Sequence, residues 1–264
     1  MRFFVKTIKY ILFKIKILFE YNIVQNETIQ TSTSFFRNPY LLRVLLRKID
    51  KEKKYTVFFY AGSSGEEIYS LAIFNQLFFK RKLILTYSDY SEIMLKKAKE
   101  GCYKNVHKHY PVVGNDHISF FNISQNNLFT IKDKYKKMVN EYILCDYTRL
   151  DTQFIKQYTS DIVFCNWSLL YYPKNVQKKA LQNLCLQAEK YLVIVGCHAG
   201  VLHSTLRENN FVPIHDDFAL IYDGWEINRA KYDYGYKTYS SPFLTDFNKT
   251  REHYRRYSLF ERLS

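Results

Sequence analysis

Residues 55–74 read YTVFFYAGSSGEEIYSLAIF, and this stretch decides the fold. Its aromatic and β-branched beginning, residues 56–61, predicts a buried strand. The apolar spacing from Glu66 onward predicts an amphipathic helix. The residues that we expect on the buried face of that helix are Ile68, Leu71, Ala72 and Leu77. Between strand and helix, Gly62 and Gly65 allow a sharp turn and let a ligand approach the backbone closely.

Strands and helices alternate along the following residues. Four more strands are predicted, in LILTYSD (83–89), YILCD (142–146), SDIVFCNWSLLYY (160–172) and KYLVIVGCH (190–198). Helical patterns separate most of them, and Ser91 is the predicted N-cap of the helix that begins SEIM. This order predicts an α/β fold with a parallel sheet, helices on both faces and a ligand site beyond the carboxyl ends of the strands.

We divide the chain into three parts. A short N-terminal helical segment, residues 1–50, precedes the α/β domain, residues 51–223. Short alternating apolar runs predict that residues 106–141 form a small β insertion in this domain, and FALIYD, residues 218–223, is its predicted closing strand. The remaining residues, 224–264, form a Tyr- and Arg-rich C-terminal extension without clear periodicity.

The composition limits the kinds of protein that fit. With 264 residues, 47% of them apolar, the chain can bury one large core. The formal net charge of +14 favours acidic partners, although a spread excess of lysine is also typical of a solvated surface. We expect no nucleic-acid partner, because no catalytic motif of a nucleic-acid methyltransferase is present. Five cysteines without a CxxC pair indicate buried reduced thiols, no metal site and a cytoplasmic protein.

The first twenty residues, MRFFVKTIKYILFKIKILFE, resemble a targeting segment only superficially. Lysines interrupt the apolar run, so it is too short to span a membrane, and it has no signal-peptide cleavage site. On a helix, Arg2, Lys6, Lys9 and Lys16 share one face opposite an apolar stripe. We expect a helix that either packs on its own domain or contacts a partner or a membrane surface.

The loop after the first strand indicates a particular ligand. It lacks the lysine of a P-loop and the third glycine of a dinucleotide fingerprint, and Glu66 and Glu67 disfavour a phosphate. Asp89 ends the second strand, where a carboxylate can hold a ribose diol, and Asp146 ends the third, within reach of an adenine. Each acid alone has an ordinary explanation, as a helix-dipole or turn residue. Together they indicate S-adenosylmethionine, whose sulfonium is cationic.

Several stretches resemble the CheR-type methyltransferases, which methylate glutamates of chemotaxis receptors. AGSSGEEIYSLAI resembles that family's GxxxGEExYSLAI signature, and TSTSFFR (31–37) resembles its N/T-x-T-x-FFR segment. SDYSEIMLKKAKEGCY (88–103) is similar to xDIDxxxLxxAxxGxY, and DIVFCNWSLLYYPKNVQ (161–177) to DxIFCRNVxIYFxxxxQ. LFTIKDKYKKMVNEYILCD (128–146) is similar to the stretch that leaves the family's small β-subdomain. The resemblance, in family order, implies a Rossmann-like class I methyltransferase sheet with S-adenosylmethionine as cofactor and S-adenosylhomocysteine as product.

The resemblance also implies roles for individual residues. Arg37 and Tyr171 would be the catalytic pair that faces the transferred methyl group, although a surface cation and a core tyrosine are the ordinary alternatives. One acid of the Glu66-Glu67 pair would contact the methionine end of the cofactor. The full set of implied cofactor contacts is Thr31, Thr33, Arg37, Gly62, Glu66, Glu67, Asp89, Tyr90, Asp146, Tyr147 and Asn166.

The chain departs from the family pattern at four places. Ala61 replaces its first glycine, Asn166-Trp167 replaces an Arg-Asn pair, and Ser91 replaces a second acid after Asp89. The family's basic, receptor-reading N-terminal domain is much reduced, and the helix predicted in the first twenty residues is a candidate remnant of it. These departures affect the identity of the methyl acceptor.

Three functions remain open from the sequence. The leading hypothesis is methyl transfer to a glutamate carboxylate of an acidic protein, a chemoreceptor or a similar protein. The alternatives are the same fold acting on a small molecule or sugar, and a non-catalytic relic that binds a cofactor or partner. A glutamate is already ionised at neutral pH and needs no base, whereas a hydroxyl acceptor would need one. For a hydroxyl acceptor, His198 is the candidate base.

Overall fold

The computed structural model describes residue 33 and residues 35–36, 39–104, 119–197, 199–214 and 259–263. Its helices are α1 (Pro39–Lys48), α2 (Glu66–Phe74), α3 (Glu92–Glu100), α4 (Asp133–Lys136), α5 (Thr152–Gln157), α6 (Lys174–Gln187) and α7 (Ala199–Glu208). Its strands are β1 (Lys54–Tyr60), β2 (Lys82–Asp89), β3 (Cys102–Tyr103), β4 (Phe121–Ile123), β5 (Phe129–Ile131), β6 (Val139–Leu144), β7 (Ser160–Asn166), β8 (Ala188–Val195), β9 (Phe211–Pro213) and β10 (Leu259–Arg262). A π-helical turn, Asn75–Phe79, continues α2. Short 3-10 turns follow β6 at Tyr147–Arg149 and β7 at Leu169–Tyr171.

Seven strands form one large sheet in the order β6-β2-β1-β7-β8-β10-β9. The pairs among β6, β2, β1, β7 and β8 are parallel, and β10 runs antiparallel to both of its neighbours. The strand order reverses between β1 and β7, which is where open α/β sheets bind their ligands. The predicted Rossmann-like α/β fold is therefore confirmed, and it directs attention to the carboxyl ends of β1 and β7.

Helices cover both faces of this sheet, and the strands are apolar on both faces as a result. Phe59 of β1 stacks on Phe164 of β7 with ring centroids 4.2 Å apart, in one hydrophobic cluster. Phe58 and Tyr60, which alternate with Phe59, belong to the second cluster, on the other face. The apolar residues 57–60 of β1 are all buried, because each face of the strand meets helices.

Helix α2 differs from the predicted amphipathic helix. Nearly all of its residues are buried, and these include Glu66 in its first turn. Leu77, predicted to be buried, is 42% exposed. It lies in the π-helical turn that follows α2, where the 100° spacing of an α-helix no longer holds. The assignment of Leu77 to the buried face was therefore wrong.

A small three-stranded antiparallel sheet, in the order β3-β5-β4, follows α3. It starts at Cys102, before the 106–141 segment predicted from sequence, and the last part of that segment belongs instead to β6 of the large sheet. Phe35 packs against this small sheet, because its ring makes edge contacts with Tyr103 of β3 and Phe121 of β4 at 4.9 and 5.1 Å. The small sheet is therefore packed against the segment that precedes α1.

The strand that completes the large sheet comes from residues assigned to the C-terminal extension. Leu259–Arg262 form β10 between β8 and β9, whereas the predicted strand FALIYD (218–223) lies outside the described residues. Arg262 fastens β10, because its guanidinium donates to the carbonyls of Cys185, Ala188 and Asn209 and lies 4.5 Å over the Phe211 ring. The last described residues are therefore part of the core sheet.

Three further expectations concern thiols, metals and membranes. All five cysteines are free, but Cys102 is exposed, so the prediction that all are buried was wrong there. Within the described ranges, no cluster of His, Cys, Asp or Glu could hold a metal ion. Of the helices in those ranges, none combines the length and apolar character needed to cross a bilayer. The basic helix predicted for the first twenty residues lies outside the described part of the chain.

Candidate active site

The loop from Ala61 to Gly65 makes a tight turn at the carboxyl end of β1. Ala61, Ser63 and Gly65 have φ angles of 49°, 58° and 93°, all in the left-handed region. Gly62 is needed for another reason, because a Cβ there would lie 2.2 Å from the Tyr87 ring. Glycine is thus required at Gly62 by a close approach and favoured at Gly65 by its conformation.

Asp89, at the end of β2, holds this loop in place. Its carboxylate accepts hydrogen bonds from the backbone N–H of Ser63 at 2.9 Å and of Ser91 at 3.0 Å. The side chain is buried, and burial raises the pKa of Asp89 to about 6 against the opposing effect of these bonds. The lone pairs of the carboxylate that backbone N–H groups leave unused can accept from hydroxyl groups, such as those of a ribose diol.

Glu66 and Glu67 point to different sides of the loop. The Glu66 carboxylate accepts from the Ser64 hydroxyl at 2.8 Å and is 9% exposed, so that burial raises its pKa to about 7. It lies within electrostatic range of Tyr87 and Tyr103, on the side of the small sheet. Glu66 therefore supports the loop from the side of the small sheet.

Glu67 faces the end of β7 instead. Its carboxylate accepts a hydrogen bond of 3.0 Å from the Asn166 side-chain N–H. The other amide atom, Asn166 Oδ1, is buried and has no hydrogen-bond partner. A buried acceptor without a donor is costly unless a ligand supplies one. The Glu67-Asn166 pair therefore presents an acid and an unused acceptor between β1 and β7, where the strand order of the sheet reverses.

Thr33 carries a second unused polar atom. Its hydroxyl oxygen is buried without a hydrogen-bond partner, one of four such side-chain atoms in the described part of the chain. Ser70 of α2 fixes the adjoining backbone, because its hydroxyl accepts from the Phe36 N–H at 2.7 Å and donates to the Glu66 carbonyl at 2.6 Å. Thr31 and Arg37, which the resemblance places with Thr33, lie outside the described residues.

The residues after β2 and β6 form the other flank. Partial burial raises the pKa of Tyr90, and the charges of Asp89 and Asp146 raise it further, so the phenol lies near both acids. Asp146 caps the following 3-10 turn by accepting from the Thr148 N–H at 3.0 Å, and its side chain is 39% exposed. The Tyr147 hydroxyl is buried against Ser168 at 2.6 Å. Of the three, Tyr90 and Asp146 remain accessible to a ligand, whereas Tyr147 is a packing residue in this structure.

The loop after β7 carries Trp167 and Tyr171. Trp167 adopts a left-handed backbone conformation with φ 58°, and its backbone N–H donates to the Val195 carbonyl at 2.7 Å. Gly196 makes this possible, since a Cβ there would lie 3.1 Å from Trp167 Cα. Tyr171 is half-buried in the 3-10 turn that follows. The alternative base, His198, lies outside the described residues.

A Rossmann-like sheet with a glycine loop and acids at the carboxyl ends of the strands is typical of α/β enzymes that bind a nucleoside cofactor, a class that includes the methyltransferases. The sequence model described as "CheR methyltransferase, SAM binding domain" matches residues 31–212. The chain belongs to the CheR methyltransferase family, and it is an S-adenosylmethionine-dependent methyltransferase.

Solved structures with a similar fold include other methyltransferases. The magnesium protoporphyrin IX methyltransferase of Synechocystis, crystallised with S-adenosylmethionine, has 12% identity and a TM-score of 0.46, over 92% of this chain and 97% of that one. A TehB-like methyltransferase of Corynebacterium glutamicum has 10% identity and a TM-score of 0.44, over 84% of this chain and 87% of that one. A search of curated protein sequences gave no significant match.

The described residues fit the cofactor. Two of the four buried polar atoms without a partner belong to Thr33 and Asn166, both predicted as cofactor contacts. Asp89 offers lone pairs for hydroxyl groups, and Glu67 offers a negative charge near Asn166. These groups suit the amino, ribose and sulfonium parts of S-adenosylmethionine in chemical kind.

Sequence reasoning missed several residues that support this site. Tyr87 donates a hydrogen bond to the Ser63 carbonyl and Tyr103 donates one to the Ser64 carbonyl, so both fix the backbone of the loop. Ser70 ties the segment before α1 to α2. Ser70 stands inside the quoted YSLAI motif, which was a usable signal for it. Nothing local distinguished the two tyrosines in a chain with 24 of them.

Proposed function

We propose that this methyltransferase acts on the glutamate carboxylate of an acidic protein, chemoreceptor-like in its chemistry. The observation that carries the proposal is the character of the side chains around the end of β7. Glu67 and Asn166 bind each other, Tyr171 is an uncharged donor, and the described loops at this edge contain no histidine. Such a site can orient an acceptor that is already ionised, and glutamate meets that condition at neutral pH.

Each part of the cofactor has a candidate partner. Glu67, Asn166 Oδ1 and Thr33 would hold the methionine end, since they combine one acid with two unused polar atoms. Asp89 would take the ribose hydroxyls. Tyr90 and Asp146 would border the adenine. When bound, S-adenosylmethionine supplies a methyl group on a positively charged sulfur, which a nucleophile displaces in line.

The protein's own task is then alignment and exclusion of water. Arg37 and Tyr171 would position the acceptor carboxylate by hydrogen bonds, charge-assisted in the case of Arg37, without removing a proton. Trp167 replaces a family asparagine at the end of β7 and would form a wall of the acceptor pocket. This bulky aromatic also favours a second candidate function, methylation of a small aromatic or sugar acceptor.

The first experiment is titration calorimetry with S-adenosylhomocysteine. Asp89→Ala removes the acceptor of the ribose hydroxyls and leaves the N–H groups of Ser63 and Ser91 without their partner. We expect binding to weaken by about a hundredfold. Asp151→Ala is the matched control, since the Asp151 carboxylate likewise accepts a hydrogen bond from a backbone N–H, that of Phe154 at 2.7 Å, but lies at the start of α5. Equal binding by the parent protein, Asp89→Ala and Asp151→Ala would show that Asp89 does not contact the cofactor, and would refute the proposed cofactor position.

The acceptor is tested separately with radiolabelled S-adenosylmethionine. Glutamate-rich peptides should accept label that alkali releases as methanol, because carboxyl methyl esters hydrolyse readily. Peptides with glutamine at every glutamate should not accept it. Alkali-stable label on a phenol or sugar, with none on the peptides, would select the second candidate instead.

A further inference from the structure

The edge of the large sheet opposite the candidate site is strongly basic. Lys54 is the first residue of β1 and Lys82 the first of β2, and the two are register partners. Because β1 and β2 are parallel, these residues lie at the amino-terminal edge, a full strand length from the glycine loop. The exposed lysines that define this basic edge are Lys51, Lys53, Lys54, Lys80 and Lys82.

Few acids oppose these lysines. Residues 47–54 and 80–82 together contain eight cations and two acids, a net charge of +6. Lys51 and Lys82 both lie 3.9 Å from Glu52, with side chains 59–74% exposed, so these ion pairs are weak. Lys54 beside Lys82 is a like-charge pair, which destabilises a sheet. Lys82 also donates to the Glu52 carbonyl at 3.1 Å, but exposed contacts of this kind contribute little to the stability of the fold.

Two exposed apolar side chains stand next to the basic edge. Leu77 is 42% and Phe78 is 53% exposed, both in the π-helical turn that leads into Lys80. The turn is well braced, because the Asn75 side chain accepts from the Arg81 N–H at 2.8 Å and donates to the Arg81 carbonyl at 2.9 Å. Arg81 Nε donates in turn to Leu46 O at 3.0 Å. The protein thus holds an exposed phenylalanine in a fixed position among cations.

We propose that the basic edge, with Leu77 and Phe78, docks on an anionic phospholipid surface. Lysines attract acidic headgroups through their charge, and an adjacent aromatic and aliphatic pair inserts at the boundary between headgroups and acyl chains. A single-stranded nucleic acid would favour a groove that tracks its backbone with several stacking aromatics. Here the cations instead flank one protruding apolar pair. Docking in this orientation leaves the candidate active site facing away from the membrane.

The test is sedimentation of the full chain with phosphatidylcholine vesicles, with and without phosphatidylserine. We expect binding only where phosphatidylserine is present. The triple variant Lys54→Gln, Lys80→Gln, Lys82→Gln should bind on the order of a hundredfold more weakly. Phe78→Ser should lose roughly tenfold, because its ring no longer enters the boundary region.

The matched control removes the same charge elsewhere. Lys96, Lys178 and Lys179 are exposed lysines of α3 and α6, and their triple Gln variant should keep most of the binding. Titration with S-adenosylhomocysteine checks that every variant is folded. Equal loss in the two triple variants, or full binding by the edge variant, would overturn the proposal. So would tighter binding of a short DNA duplex than of vesicles through the same three lysines.

Discussion

At the scale of single residues, the site depends on two neighbouring glutamates with different surroundings. Glu67 faces Asn166, where the cofactor's charge is expected, whereas Glu66 is turned under the loop and bound by Ser64. Sequence could place both acids in the first turn of a helix but could not choose between them. The choice follows from the 100° between consecutive helical residues and from the small sheet that covers one side.

Burial of Glu66 gives a testable dependence of stability on pH. The folded pKa is about 7, above the value of 4.5 for a free glutamate, so the folded state binds more protons than the unfolded state between these values. Stability from Glu66 is therefore full below the lower value and is lost as pH rises through the higher one. Glu66→Gln cannot ionise and should gain about 2 kcal/mol more at about pH 8 than at about pH 5.

Urea unfolding at the two pH values measures this gain. Glu100→Gln, at the exposed end of α3, makes the same chemical change and should show no comparable dependence on pH. A constant difference between Glu66→Gln and the parent protein at both pH values would show that Glu66 ionises freely in the folded state.

Ala61 provides a second prediction at this scale. Its φ of 49° is unfavourable for a residue with a Cβ, and glycine is the family residue at this position. Ala61→Gly should stabilise the protein by about 0.5 kcal/mol, after the greater freedom of glycine in the unfolded chain is subtracted. The urea midpoint measures this, and Ala72→Gly inside α2 should lose about 1 kcal/mol or more. Loss of stability in both variants would show that Ala61 is not strained.

At the scale of elements, the glycine loop is held between three neighbours. Tyr87 supports it from β2, Tyr103 from the small sheet, and Ser70 connects α2 to the segment that contains Thr33 and Phe36. The loop, the small sheet and the segment before α1 are therefore expected to move together when a ligand binds.

Ser70→Ala tests this connection. The Phe36 N–H would lose its acceptor, which should cost about 1 to 2 kcal/mol of stability. Because Thr33 is attached to the same segment, S-adenosylhomocysteine should bind roughly fivefold more weakly. Ser204→Ala on α7 is the control, since the Ser204 hydroxyl donates to Val201 O at 3.3 Å, within its own helix. If Ser70→Ala binds S-adenosylhomocysteine as tightly as the parent protein, Thr33 does not take part in cofactor binding.

The elements also show what sequence patterns could predict. The strands that became β1, β2, β7 and β8 were found because a strand buried on both faces is largely apolar. The edge strand β6 was found from the short apolar run YILC, although most of its residues are not buried. β10 was missed because Leu259–Arg262 is short and half charged, whereas FALIYD has a stronger strand composition. The start of the small sheet was missed because Cys102 and Tyr103 directly follow the helical glycine stop at Gly101. Such short strands depend on partners that are distant in sequence.

At the scale of the whole molecule, the large sheet is completed by β10, which pairs with β8 and β9. Arg262 should account for much of its attachment, through bonds to three carbonyls. Arg262→Lys keeps the charge but loses the planar fork, and we expect a loss of about 2 kcal/mol in the free energy of unfolding.

Arg149→Lys is the matched control for that measurement. Arg149 is 80% exposed and pairs with Asp146 at 3.4 Å, so the same substitution should change stability by less than about 0.5 kcal/mol. Equal effects of the two substitutions in urea unfolding would show that β10 contributes little to the sheet.

The parallel direction of the central strands has one more consequence. Glu67, Asp89 and Asp146 lie at one edge of the sheet and the lysines of the basic edge at the other, roughly 20 Å apart for a seven-residue strand. That separation exceeds the Debye length of about 8 Å in physiological salt, so a nearby charged surface interacts with each end independently of the other. The described residues therefore carry opposite charges at the two ends of the strands, and approach to such a surface exerts a torque on this part of the molecule. Rotational diffusion would be biased, and the molecule would already be oriented at first contact.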